Sequence, residues 1–170
     1  LSALTTGDNN TAVGFQALIA NTEGHENDAF GAYALTANIG GIDNVAVGTA
    51  ALSANTTGGA NTAIGRAAME SSSSPEQNVA IGRSALANLA TGERNIAIGY
   101  QSMDAANGAE ADNIAIGLAA LGSLDNDSSI MNVAIGNYSL DATAANVAVQ
   151  NTAVGHLSGS AITTGDKNVI

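Results

Sequence analysis

The sequence contains no cysteine and no tryptophan, and only 3% of its 170 residues are aromatic and 11% are charged. The absence of cysteine excludes disulfides, thiolate zinc sites and thiol nucleophiles. Ordinary globular domains carry roughly 25% charged residues, so side chains for acid–base chemistry are scarce here, and there are only two histidines. We therefore expect no catalytic residues, no cofactor and no metal site, and hence no enzyme.

Positive charge is also scarce, because four basic residues face fifteen acidic ones and give a net charge of −11. Phosphate binding requires Lys and Arg, so we expect no nucleic-acid partner. No apolar run approaches the roughly 20 residues that cross a bilayer, and we expect no membrane insertion. The sequence starts without Met or a signal peptide, and we expect it to be a fragment of a longer chain.

What the sequence does contain is a repeat, the pentapeptide Asn-x-Ala-(Val/Ile)-Gly, which recurs every 17 to 19 residues. The copies begin at Asn10, Asn27, Asn44, Asn61, Asn78, Asn95, Asn113, Asn132, Asn151 and Asn168, the last being incomplete and the second carrying Phe30 in its fourth place. Each copy is numbered from its Asn as position 0, and residues before the Asn take negative numbers. We treat residues 1–170 as one repeat domain.

A period of 17 residues is too short for two-helix repeats, which need 33 or more. The β-branched pentapeptide between Gly and Asn predicts a strand, the Ala-Leu pair after it predicts a second short strand, and Thr-Gly or Gly-Gly predicts a turn. The expected fold is an all-β, parallel β-solenoid of about ten coils, stacked about 4.8 Å apart.

Successive side chains on a strand point to opposite faces. Position 3 is almost always Val or Ile, which predicts a core position. Position 2 is always Ala, and either it fits inside a narrow coil or it admits the backbone of another chain. The second interpretation is favoured because one Val or Ile and one Leu or Met per coil make a thin core. It predicts a homotrimer interface at Ala12, Ala29, Ala46, Ala63, Ala80, Ala97, Ala115, Ala134 and Ala153.

The repeated Asn and Gly predict structural roles rather than ligand sites. Asn tolerates left-handed backbone and stacked amides can bond from coil to coil, so the Asn at position 0 of all ten copies is expected to form a ladder at a corner. Gly at position 4 is expected to supply a positive φ or a close backbone approach. No Lys-Ser/Thr follows these glycines, which excludes a phosphate loop.

Position 5 varies freely, which predicts exposure to solvent and places Arg66 and Arg83 on adjacent coils. Exposed rings and cations at positions 5 and 6 are the candidate ligand contacts. They are Phe15, Tyr33, Arg66, Arg83, Tyr100, Tyr138 and His156. Most acids fall in the turns and are interpreted as a solvated face. The segment 125–127, Asp-Asn-Asp, resembles the opening of a calcium loop but lacks the remaining ligand spacing and the closing Glu, so calcium binding stays a minor alternative.

The repeat is less regular near the C-terminus. The turns after Met103, Leu121 and Leu140 are one or two residues longer, and residues 146–150 copy the pentapeptide with Gln in place of Gly. Such irregularities mark either a functional or capping face or a register correction.

The stretch Asn-Thr-Ala-Val-Gly-Phe-Gln-Ala-Leu at 10–18 resembles the repeats of bacteriophage tail-fibre and tailspike proteins. The copies at 78–82 and 113–117 are similar to the head repeats of trimeric, YadA-like autotransporter adhesins. The resemblance covers almost the whole chain. It implies a left-handed β-roll assembled as a trimer, outside the cell or on a virion, or alternatively on a bacterial surface.

The expected function is therefore a structural and adhesive fibre segment, whose partner would be a cell-surface glycan or a protein receptor. A filament or matrix subunit without receptor binding is one alternative. An ice-binding solenoid is another, although Asp28 and aliphatic residues interrupt the Thr array at position 1 that it needs. A glycan-degrading tailspike is the third, and it needs a carboxylate pair about 5–9.5 Å apart in a cleft.

Overall fold

The computed structural model describes residues 5–124, 130–141, 149–162 and 165–170. Within these ranges, nine strands of three residues each form one sheet, in chain order and all parallel. They are β1 (Thr11–Val13), β2 (Asp28–Phe30), β3 (Val45–Val47), β4 (Thr62–Ile64), β5 (Val79–Ile81), β6 (Ile96–Ile98), β7 (Ile114–Ile116), β8 (Val133–Ile135) and β9 (Thr152–Val154). The predicted all-β, parallel β-solenoid is confirmed. About eight turns separate the nine strands, and the start of the tenth copy adds a bridge from Val169 to Thr152.

Each strand pairs with the next in the same register, so every position lies above its equivalent in the preceding coil. Ala80 pairs with Ala97, and Ala115 pairs with Ala134 across one of the two longest spacings. The extra residues of the C-terminal repeats therefore leave the strand register unchanged. Position 0 of one coil also accepts a backbone hydrogen bond from position 1 of the coil before it, as in Thr62 N to Asn78 O at 2.8 Å.

The predicted second strand at the Ala-Leu pair is wrong, because that segment is a turn in every coil. Residues at positions 6 and 8 have φ near +50° to +60°, for example Tyr33 at 62° and Leu35 at 49°. Extended strands require negative φ. A third residue with positive φ, at position −1, precedes each ladder Asn, as Asp43 does at 57°.

The interior of the coil is filled from positions 2, 7 and 8. Leu or Met at position 8 is fully buried in every coil from Leu18 to Leu140, next to small residues at position 7. The Ala residues of β2 to β9 are also fully buried within the single chain, and Ala12 in the first coil packs against the same core. The prediction that these alanines form a subunit interface is therefore wrong. Their methyl groups point inward, where the Leu or Met leaves room for nothing larger. The residues concerned are Ala12, Ala29, Ala46, Ala63, Ala80, Ala97, Ala115, Ala134 and Ala153.

The placement of position 3 in the core is wrong for the same reason. When position 2 points inward, positions 1 and 3 must point outward, and Val13, Val47 and Ile64 are exposed. The prediction for the position-4 glycines is confirmed. Gly65 has φ of 137°, and a Cβ there would lie 2.5 Å from the carbonyl oxygen of Gly82.

Candidate functional surface

The Asn residues at position 0 form a continuous hydrogen-bonded ladder along the rod, as predicted. The Asn61 amide nitrogen donates to Asn44 Oδ1 at 3.0 Å and to the Pro75 carbonyl at 2.8 Å. Asn61 Oδ1 accepts the backbone N–H of Asn78 at 3.0 Å. The same pattern runs from Asn10 to Asn168. The expectation of left-handed backbone at these Asn is wrong, because position −1 takes the positive φ.

A second ladder, inside the coil at position 11, was missed by the sequence analysis. Asn38 and Asn55 donate to the side-chain oxygen of the Asn one coil earlier, both at 2.9 Å, starting from Asn21. All three are fully buried. The signal was present as an Asn recurring eleven residues after the first. The ladder stops at Ser72, whose buried hydroxyl has no hydrogen-bond partner, and Leu89 occupies the next coil.

The outer face of the sheet is a mainly apolar ribbon made by positions 1 and 3 of the nine strands, and its polar residues at position 1 are Thr11, Asp28, Thr62 and Thr152. Position 3 is apolar throughout, with Val13 57% exposed and Ile64 38% exposed. In β5 to β8 position 1 is aliphatic as well, so these four strands present two rows that consist only of Val and Ile. Nothing in the described part of the chain covers this ribbon.

Positions 5 and 6, at the edge where each strand ends, carry the predicted ligand-contact residues, and the structure brings them together in pairs on adjacent coils. The rings of Phe15 and Tyr33 meet edge to face with centroids 5.4 Å apart. Tyr138 and His156 do the same at 6.3 Å. The Arg83 guanidinium lies 5.5 Å from the centre of the Tyr100 ring. Arg66 lies one coil before Arg83 and is exposed. Six of the seven candidates thus form three separate pairs along one edge of the ribbon, and Arg66 lies on the same edge outside these pairs.

Positions −1 and −2, at the edge where each strand begins, are rich in acids. The acids here are Asp8, Glu26, Asp43, Glu76, Glu93, Asp112 and Asp166. Arg94 on the same edge bonds to Asp112 at 2.7 Å and to Glu93 at 2.7 Å. The hydrogen bond from Arg94 holds the pKa of the Asp112 carboxyl below its usual value. The edge where the strands begin is therefore mainly acidic, whereas the edge where they end carries the basic residues Arg66 and Arg83.

A groove of about 310 Å³ lies in the acidic edge, across the coils of β3, β4 and β5. Gly59 and Ala60 form its floor, with Ile42 on one side and the acids Asp43 and Glu76 at either end. The groove exists because the coil of β4 carries Gly59 and Ala60 where its neighbours carry larger residues, namely Ile42 and Asp43 in one coil and Glu76 and Gln77 in the other.

The described residues contain no group of three or more His, Asp or Glu placed to hold a metal ion. They also include no helix that could cross a membrane. Positions 9 and 10, which follow the buried Leu or Met, are called the back of the coil. Asp104 at position 9 is a partly buried carboxyl whose pKa is raised mainly by desolvation, and the like charge of Asp141 raises it further. The Asp-Asn-Asp segment at 125–127 and residues 146–148 of the extra pentapeptide lie outside the described residues.

Comparison with models of protein families, with curated proteins and with solved structures finds no match to this chain.

Proposed function

We propose that the chain is the structural and adhesive shaft segment of an extracellular or virion fibre, assembled as a homotrimer through its apolar ribbon. The observation that carries this proposal is the outward ribbon of positions 1 and 3. It replaces the alanines as the assembly surface and favours association more strongly than they would, because Val and Ile bury more apolar area than Ala.

The ribbon has the dimensions of an interaction surface. Nine strands at about 4.8 Å spacing give a length of about 40 Å, and positions 1 and 3 lie about 7 Å apart along each strand. Exposed apolar patches larger than a few hundred Å², especially those rimmed by polar residues, mark protein interaction sites. In the coils of β5 to β8 this face carries only Val and Ile on both rows, which is unsuited to permanent contact with water.

A cyclic arrangement satisfies the geometry. Copies related by an axis parallel to the rod turn the same ribbon toward that axis along their whole length, and the ring closes without leaving a ribbon free. The side-to-side contact also repeats at every coil, so each coil adds to the association. This continuity supports a fibre rather than a compact oligomer.

The hydrogen-bond ladders support a mechanical role. Each outer-ladder Asn in the middle of the rod bonds to side-chain and backbone groups of both neighbouring coils. Buried networks of this kind are worth more than isolated pairs because unpaired members would be costly in a low dielectric. The coils therefore resist sliding and bending relative to one another, as a rigid shaft requires.

Attachment to a cell surface is assigned to the aromatic clusters near the two ends of the rod, Phe15 with Tyr33 and Tyr138 with His156. Exposed rings offer flat faces to sugars or peptides at little cost in side-chain entropy. Three copies present each cluster three times, and weak single contacts then add through effective concentration. A filament subunit without a receptor remains the alternative, and it would lack this binding.

Assembly is tested by measuring the solution mass with light scattering. The unaltered chain is expected at three times its 16.6 kDa monomer mass. Ile98→Lys places a charge in the centre of the ribbon and is expected to give a monomer with an unchanged β-type circular dichroism spectrum. Ser71→Lys, at an exposed position on the back of the coil, is the matched control and should stay trimeric. A monomeric unaltered chain would refute the trimer.

Attachment is tested separately with binding of the labelled trimer to bacterial cells and to an array of surface glycans. Tyr138→Ala and Phe15→Ala are expected to lower the bound fraction, while Thr49→Ala, at the same edge without a ring, is the control. Equal binding by all variants would favour the filament alternative.

A further inference from the structure

The two edges of the ribbon are complementary in shape and charge at the same height on the rod. We propose that Arg66 of one copy inserts into the acidic groove of the neighbouring copy, between Asp43 and Glu76, that Arg83 of the same copy faces Glu76, and that the two arginines so fix the vertical register of the fibre. The inference rests on the proposed assembly through the ribbon. It assigns the two arginines to a subunit seam rather than to a receptor.

The relative position of the two edges follows from symmetry. When copies share an axis parallel to the rod, every strand runs in the same sense around that axis. The end of a strand in one copy then lies beside the beginning of the equivalent strand in the next copy. The edge formed by positions 5 and 6 therefore always faces the neighbour's edge formed by positions −1 and −2, whether the ring contains two or three copies. The aromatic clusters near the two ends of the rod border the same seam, and a receptor would reach them at its rim.

The heights also agree. Arg66 follows β4, and Gly59 and Ala60 precede β4, so the arginine side chain faces the floor of the groove. Asp43 lies one coil earlier and Glu76 one coil later, which places a carboxylate on each side of that guanidinium. Arg83 follows β5, the strand that Glu76 precedes, and therefore faces this acid at its own level.

The chemistry of the groove suits a guanidinium group. Its volume of about 310 Å³ is open to solvent along the seam, and its glycine floor leaves room for a long side chain. Ile42 offers an apolar wall for the methylene stem, as arginine stems prefer. The carboxylates of Asp43 and Glu76 can accept paired N–H bonds from the planar fork.

These charges are without ion-pair partners in the described part of their own chain. Arg94 is the cation there that forms ion pairs, with Glu93 and Asp112. Arg66 is exposed, and the Arg83 guanidinium packs against the ring of Tyr100 on the next coil. Asp43 and Glu76 are likewise exposed. Opposite charges on facing edges, when they have no ion-pair partner within their own chain, can fix the register between subunits.

The sharpest experiment is a disulfide across the seam. The chain has no cysteine, so Glu76→Cys combined with Arg83→Cys creates the sole pair of thiols. The two positions cannot join within one chain, because the three residues of β5 alone span about 10 Å and a disulfide needs Cα atoms within about 7 Å. Mild oxidation is expected to give covalent dimers and trimers on a denaturing gel, and neither single variant should do so.

A charge reversal provides the second, independent measurement. Glu76→Arg and Arg83→Glu each place like charges together and should weaken assembly by about tenfold or more at low salt. Combining the two substitutions in one chain should restore most of the assembly that each of them loses alone. Glu70→Arg makes the same charge change on the back of the coil and should leave assembly unaltered. If the double cysteine variant does not assemble, the charge-reversal variants still test whether the arginines contact the acidic groove.

The outcomes distinguish the arginine seam from the ribbon assembly on which it depends. A monomeric unaltered chain overturns both. A trimer in which Glu76→Arg behaves like Glu70→Arg, with or without a cross-link after oxidation, overturns the arginine seam and leaves the ribbon assembly standing. Cross-linked trimers together with rescue by the double reversal support both.

Discussion

Asn44 donates twice to the side-chain oxygen of Asn27, from its backbone N–H at 3.1 Å and from its side-chain amide at 3.0 Å. One oxygen thus joins the main chain and the side chain of the next coil. The same amide group of Asn44 also reaches the Gly58 carbonyl one coil further on, at 2.9 Å. Each ladder residue therefore links three consecutive coils, which explains why no other side chain occurs at position 0.

Removing one ladder residue is expected to destabilise the rod strongly. Asn61→Ala leaves the Asn44 oxygen with one donor fewer, the Pro75 carbonyl without its donor and the Asn78 N–H without its acceptor, all in buried positions. Buried unpaired groups cost about 1–3 kcal/mol each, so we expect a loss of about 3 kcal/mol in urea unfolding. Asn88→Ala is the control, since that exposed amide bonds only to the Asp104 carbonyl. Equal effects would contradict a structural ladder.

Two glycines predict opposite responses to alanine. At Gly65 an added Cβ would strike the Gly82 carbonyl, and the residue has φ of 137°. We expect Gly65→Ala to lower the melting temperature sharply or to prevent folding. At Gly40 an added Cβ meets nothing within 4 Å, and Gly40→Ala should be neutral or stabilise by up to about 1 kcal/mol by restricting the unfolded chain. A reversed order in thermal unfolding would refute the coil geometry.

Enlarging an interior methyl should unfold the chain itself rather than separate subunits. Ala80 is fully buried in the single chain, and overpacking a filled core costs about 1–3 kcal/mol or more. We expect Ala80→Leu to destabilise even in the Ile98→Lys background, where association is removed. Circular dichroism melts of the two monomeric proteins provide the measurement. If the melts coincide, the methyl does not lie in the interior.

The end of the inner ladder offers a stabilising substitution. The Ser72 hydroxyl is buried without a partner, whereas the neighbouring Ser73 hydroxyl donates to the Ala90 carbonyl at 3.2 Å. We expect Ser72→Ala to raise the free energy of unfolding by about 1 kcal/mol, and Ser73→Ala to leave it unchanged or slightly lower. Matched urea titrations distinguish the two, and a loss of stability in Ser72→Ala would mean that the hydroxyl is satisfied.

Two aspartates should respond to pH in opposite ways. Burial raises the pKa of the Asp104 carboxyl, so its charged form opposes folding above that pKa and this penalty disappears as the pH falls. Arg94 lowers the pKa of Asp112, whose contribution is present at neutral pH and lost as the pH falls below about 4. Asp104→Asn is expected to raise the melting temperature at pH 7, and Asp112→Asn to lower it. Both differences should shrink near pH 3.

Several features follow from the repeat alone. Equal spacing of the Asn and Gly positions means that each coil must stack on the last with the same residues in contact, which predicts the parallel register and the outer ladder. The position-4 glycines were predictable too, because few residues tolerate a backbone approach as close as that of Gly65 to Gly82. The exposure of Arg66 and Arg83 followed from the freedom of position 5.

Which face of each strand is inside was decided by the tertiary structure. Alternation along Val79, Ala80 and Ile81 defines two faces, but both are apolar, and apolarity alone ranks Ile above Ala for the core. The coil reverses that order, because left-handed backbone at positions 6 and 8 turns Leu86 inward and fills the narrow interior. A methyl is then all that fits on the inner face, and the larger Val and Ile are left outside, where a second copy can cover them.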